Sequence, residues 1–148
     1  MQSCKKRDVP RHIGRTKGGL NSKLHAVINE QGKPIIMTLT AGQVSDHLGA
    51  KIMYPKLPQA NVLIADKGYD SDEYRAALKA KRIEACIPPR RGRRSPPNYC
   101  KNTYKQRHKV ENAFSRLKDW RRIATRYDRC ADLFFAAITI ATIIIWWI

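Results

Sequence analysis

The apolar positions change period along the chain, and the changes mark out its elements. Lys23 to Asn29 alternates, with Leu24, Ala26 and Ile28 on one side, as a half-buried strand does. Pro34 to Thr40 is a second strand carrying Ile36, Met37 and Leu39, and Glu30-Gln31-Gly32-Lys33 between the two is a hairpin turn. Ser45 or Asp46 caps a short helix through about Tyr54, which Pro55 and Pro58 end. Val62-Leu63-Ile64-Ala65 is a continuous apolar run, typical of a central strand covered on both faces, with Asp66 at its C-terminal end. Asp70 and Glu73 predict a capped helix from Asp70 to Lys81. Ala85-Cys86-Ile87 predicts a brief strand, Pro88 to Pro97 an extended loop, and about Thr103 to Trp120 one long helix. Ala131 to Ile148 is almost wholly apolar. Asp132, Thr139 and Thr142 interrupt it, which favours a helix packed on the domain over membrane insertion. Met1 to Lys17 reads as a polar, basic arm, and Gly18-Gly19 as a turn. Strands and helices in this order predict a mixed α/β arrangement.

Charge narrows the partners. The formal net charge is +17, from 29 Lys and Arg against 12 Asp and Glu. An excess of that size suits a polyanion. Nucleic acid is the first candidate, because each neutralised phosphate releases a counterion; an anionic membrane surface is the second. Arg90, Arg91, Arg93 and Arg94 concentrate charge in the Pro88–Pro97 loop and read as DNA-backbone contacts, or as a solvated mobile loop that orders on DNA. Cys4, Cys86, Cys100 and Cys130 form no CxxC pair and read as free thiols of a reducing cytosol. Cys86, Cys100 and His108 fit no common zinc spacing.

The long helix carries a polar stripe. Tyr104, Arg107, Glu111 and Lys118 fall at roughly 0°, −60°, −20° and −40° about a continuous axis, while Val110, Ala113 and Leu117 lie on another face. Taken alone the stripe reads as a surface ladder, with Arg107 and Glu111 as an i,i+4 ion pair. Asp66 beside Gly68 reads equally as a turn residue and as a metal ligand at a strand's carboxyl end. Asp46 reads as a helix cap before anything else.

The combination is more specific than its parts. GRTKGGLNSKLHAV from Gly14, LTAGQVSDHLGA from Leu39, IADKGYDSDE from Ile64 and YKQRHKVENAFSRLKDWRRIATRYD from Tyr104 together resemble DDE transposases of the insertion-sequence-four and insertion-sequence-five groups. The family spacing of Tyr, Arg, Glu and Lys is met by Tyr104, Arg107, Glu111 and Lys118. The resemblance implies a partial RNase H-like catalytic domain over residues 18–148, a mixed sheet with flanking helices that lacks its first strand, behind a basic arm at 1–17. It implies Asp66 and Glu111 as the second and third catalytic acids, holding Mg²⁺ or Mn²⁺ in a two-metal site. Tyr104, Arg107 and Lys118 would contact DNA. The implied partners are the element's ends and the target DNA, a second copy of the chain, and an upstream reading-frame product; a membrane is disfavoured. The implied location is the cytoplasm, at the nucleoid. The pattern breaks where the first catalytic Asp belongs, since Asp8 sits in a breaker-rich segment. Weak or no catalysis by the isolated chain follows as an expectation, with a non-catalytic DNA-binding remnant or accessory protein as the alternative.

Overall fold

A computed structural model describes residues 11–148. Asp8, Cys4 and most of the expected arm lie outside the described residues. The chain divides into two compact units. One takes the residues up to Val44 together with Val110–Ile148; the other is Ser45–Lys109.

The first unit is built on an antiparallel sheet in the order β1 (Gly14–Thr16), β2 (Gly19–Ile28), β3 (Pro34–Ala41). The β2–β3 hairpin is the one that the sequence predicts. Its turn is held by Asn29, whose side-chain oxygen accepts from the N–H groups of Gln31 and Lys33, and Gly32 supplies the positive φ of 78°. Strand β1 falls where the sequence predicts loop. The Gly18-Gly19 turn, with Gly19 at φ 99°, folds Gly14–Thr16 back onto the start of β2 and pairs it there. The alternation in β2 also resolves differently. Leu24, Ala26 and Ile28 are half-buried, whereas His25 is 1% exposed, its Nε2 2.9 Å from Thr40 Oγ1. A buried imidazole is tolerated because that hydrogen bond replaces water.

Helix α6 (Ala131–Trp147) covers this sheet. Ala131, Phe134 and Ile138 pack with Leu39, and Leu24, Met37, Ile123 and Phe135 surround them. Thr142, one of the residues that argued against a membrane span, is buried and donates to Ile138 O at 2.8 Å. No helix among the described residues is long and apolar enough to cross a membrane. Arg126 ties this unit's segments together. Its guanidinium lies 4.9 Å over the Phe134 ring and donates to Asp128 O, Arg129 O, Arg11 O and Ser22 Oγ.

The second unit is a strand–helix–strand element with a further helix. β4 (Val62–Ile64) runs parallel to β5 (Glu84–Cys86), and α2 (Asp72–Ala80) connects them. α1 (Asp46–Met53) begins at Ser45, whose hydroxyl accepts from Leu48 N–H, so Ser45 and not Asp46 is the cap. Leu78, Ile83, Cys86, Ile87, Tyr74, Ala50, Met53 and Leu57 form the buried apolar set. Among the described residues β4 pairs only with β5 and is half-buried, so it is not the covered central strand its apolar run predicts. The α2 cap is also displaced by one residue. Ser71 accepts from Tyr74 N–H, and Asp70 turns inward instead.

The helix expected from Thr103 to Trp120 is interrupted. α3 (Lys101–Tyr104) passes into a 3-10 turn (Lys105–Arg107) before α4 (His108–Lys118), and a short α5 (Arg121–Ala124) follows. The 3-10 turn winds more tightly, so the azimuths calculated for one continuous helix do not carry across it.

Candidate metal and nucleic-acid site

The local sequence after β4 builds the candidate site. Asp66 leaves the strand in an extended conformation and caps the 3-10 turn Lys67–Tyr69, its Oδ1 accepting from Gly68 N–H at 2.7 Å. Asp46, in the first turn of α1, brings a second carboxylate to the same glycine. A Cβ at Gly68 would run into Asp46 Oδ2 and stand 2.9 Å from Asp66 Oδ1. The crowding at Gly68 is one of space and not of φ, so a side chain there would displace the two carboxylates. Both acids act on Tyr69. Burial first, then the charges of Asp46 and Asp66, push its phenol well above its ordinary pKa, so it stays neutral beside them.

Cations approach this pair. Arg107 Nη2 is 3.7 Å from Asp66 Oδ2, and Arg90 Nη2 donates to Gly68 O at 3.1 Å and meets His47 Nε2. Of the residues singled out by sequence, the second unit therefore brings Asp66, Arg107 and Arg90 together around Gly68. Tyr104 packs edge-on against Tyr99, with ring centres 5.5 Å apart. Glu111 and Lys118 belong to the first unit. Both are exposed on α4, two turns apart and so on one face.

The basic loop is not loose. Asp70, 2% exposed, accepts from Arg90 N–H at 2.8 Å, Arg75 Nε at 2.8 Å and Arg93 Nη1 at 3.0 Å. Burial raises the Asp70 carboxyl, but the Arg90 N–H and the Arg75 and Arg93 guanidiniums outweigh it and hold the carboxyl below its ordinary value. Arg93 also pairs with Asp72. Arg91 and Arg94 are exposed on the same loop. Sequence reading gave Asp70 a capping role; the arginines that engage it lie 5 and 23 residues away, beyond the reach of local patterning.

The donor set suits a hard divalent cation. Asp66 and Asp46 offer carboxylate oxygens, the Asp66 side chain is 41% exposed, and its pairing with Arg107 is long. Among the described residues no group of three or more His, Cys, Asp or Glu side chains comes together to hold a metal. This applies equally to Cys86, Cys100 and His108. The buried Cys86 thiol donates to Cys100 O, and burial raises its pKa.

These features define a strongly basic mixed α/β protein that offers carboxylates at a strand end amid arginines. The chain belongs to the transposase DDE domain family, whose model matches residues 5–146. It is 33% identical over 128 residues to a Brucella ovis protein named as a candidate transposase for insertion sequence element IS6501, covering 86% of this chain and 98% of that protein. It is 30% identical over 156 residues to a Burkholderia cepacia protein named in the same way for element IS402, covering 93% of this chain and 72% of that protein. No solved structure matches the chain.

Proposed function

We propose that this protein is a transposase of a bacterial insertion sequence that cleaves DNA phosphodiester bonds and transfers strands with the help of Mg²⁺ or Mn²⁺. The observation that carries the reading is the meeting of Asp66 and Asp46 around Gly68 at the end of β4, with Arg107 beside it, in a transposase DDE domain carrying a net charge of +17. The fold is RNase H-like and the protein works in the cytoplasm on nucleoid DNA. Asp66 and Glu111 are the metal ligands. Asp46 supports Asp66 from across Gly68. A bound cation would activate the attacking hydroxyl and steady the departing oxygen. Arg107 takes a phosphate oxygen when Asp66 turns to the cation, and Lys118 neutralises a neighbouring phosphate. Tyr104 places the segment before α4, and Arg90, Arg91, Arg93 and Arg94 serve the DNA backbone. DNA, and a second copy of the chain, are the partners.

Cleavage and joining of an end-bearing duplex, with and without Mn²⁺, tests the reading. Weak metal-dependent cleavage, in keeping with the missing first acid, that falls to background in Asp66→Asn and in Glu111→Gln is the expected result. Cleavage indifferent to both changes overturns the assignment. DNA binding without cleavage under any metal favours a second reading, a DNA-binding protein without catalysis, to which the net charge of +17 is equally suited.

A further inference from the structure

The loop from Pro88 to Pro97 holds four arginines that the sequence makes look alike, and the structure sorts them into two kinds. The backbone N–H of Arg90 and the side chain of Arg93 are committed inward, and the Arg90 side chain, though exposed, is engaged at Gly68. Arg90 N–H and Arg93 Nη1 both reach Asp70, Arg93 Nε donates to Ser95 O at 3.2 Å, and Arg90 Nη2 donates to Gly68 O. Arg75, on α2, braces the same carboxylate and also donates to Ile87 O at 2.7 Å, one residue before the loop starts. Between the two tethers the chain makes a tight turn. Arg93 N–H returns to Arg90 O at 3.3 Å, with Gly92 at φ 82° and nothing near its Cβ position. Arg91 stands exposed on this turn and Arg94 stands exposed just after it.

We infer that Asp70 is a positioning residue for DNA binding: it fixes the loop so that Arg91 and Arg94 form a preset phosphate clamp. This rests on the DNA-directed reading above and divides the labour within it. A side chain on a fixed turn binds phosphate without first losing the loop's freedom, which a mobile arm must lose on binding. Asp70 touches neither DNA nor metal in this account. Its effect passes through Arg90 and Arg93.

The test uses the full chain, a DNA duplex and a salt titration. Arg91→Ala with Arg94→Ala should reduce the slope of log affinity against log salt by about 1.8, at roughly 0.9 for each phosphate no longer neutralised. In an Asp70→Asn background the same pair of changes should cost at least about threefold less affinity, because the clamp is already undone. Trypsin gives a DNA-free readout, with the loop arginines resisting cleavage in the unmodified chain and yielding in Asp70→Asn. Arg75→Gln loosens the same tether without altering the loop's charge, and replaces Asp70→Asn should that variant fail to fold. Equal losses in both backgrounds, or equal trypsin sensitivity, overturn the positioning role. DNA binding that Arg91→Ala with Arg94→Ala leaves untouched sinks this inference alone, whereas no DNA binding by the unmodified chain sinks the functional reading as well.

Discussion

Gly68 is the residue on which the two carboxylates converge, and its lack of a side chain has a direct consequence. Gly68→Ala places a methyl group against Asp46 Oδ2 and Asp66 Oδ1. The change should cost about 1–3 kcal/mol of stability as an overpacked site does. Mn²⁺ affinity should fall further than Asp46→Asn alone makes it fall, as isothermal titration would measure. Asp70 makes a pH prediction. Its carboxyl titrates below the ordinary value of 3.8, so its contribution to stability is fully present above that value and is lost as pH falls through the lower, folded-state value. Acid denaturation should thus show an extra loss of stability below about pH 4 that Asp70→Asn abolishes. A profile unchanged by the substitution would contradict the buried tether. Sequence could rank Asp66 as important because a strand's carboxyl end is a favoured site, but it could not see Asp70's role. Ser71 and Asp70 are both competent caps, and the choice between them was made by Arg75 and Arg93.

Among the elements, those governed by a single period were readable. The β2–β3 hairpin, α1 and α6 fall within a few residues of their sequence bounds, because alternation, a serine cap and a long apolar run are local signals. The interrupted helix was not readable. Nothing in YKQRHKV breaks a helix, yet Lys105–Arg107 winds as a 3-10 turn while Arg107 reaches Asp66. Arg107→Ala should relax this turn toward ordinary helix, visible as a small gain in helical circular dichroism. Helix α6 offers a contrast between its two faces. Ile138→Ala, at a position 1% exposed, should cost about 2–5 kcal/mol, whereas Ile140→Ser, at 56% exposed, should stay within about 0.5 kcal/mol. Equal costs in urea titration would mean that the helix packs through another face.

For the whole molecule, the opposition between a large positive charge and a small acidic centre is the organising fact. A net charge of +17 destabilises the chain by self-repulsion unless a polyanion answers it, and on the proposed function it should make DNA affinity depend steeply on salt. The family was legible because the four matching stretches span most of the chain, with the Tyr-Arg-Glu-Lys spacing as the sharpest of them. The two-unit division was not, because it comes from segments distant in sequence joining in one unit. Whether Asp66 holds a divalent cation can be read from Mn²⁺ binding to the intact chain by electron paramagnetic resonance. Binding should be saturable and should weaken at least about tenfold in Asp66→Asn, and more mildly in Asp46→Asn. Binding that is absent, or that is indifferent to Asp66→Asn, would contradict that role of Asp66.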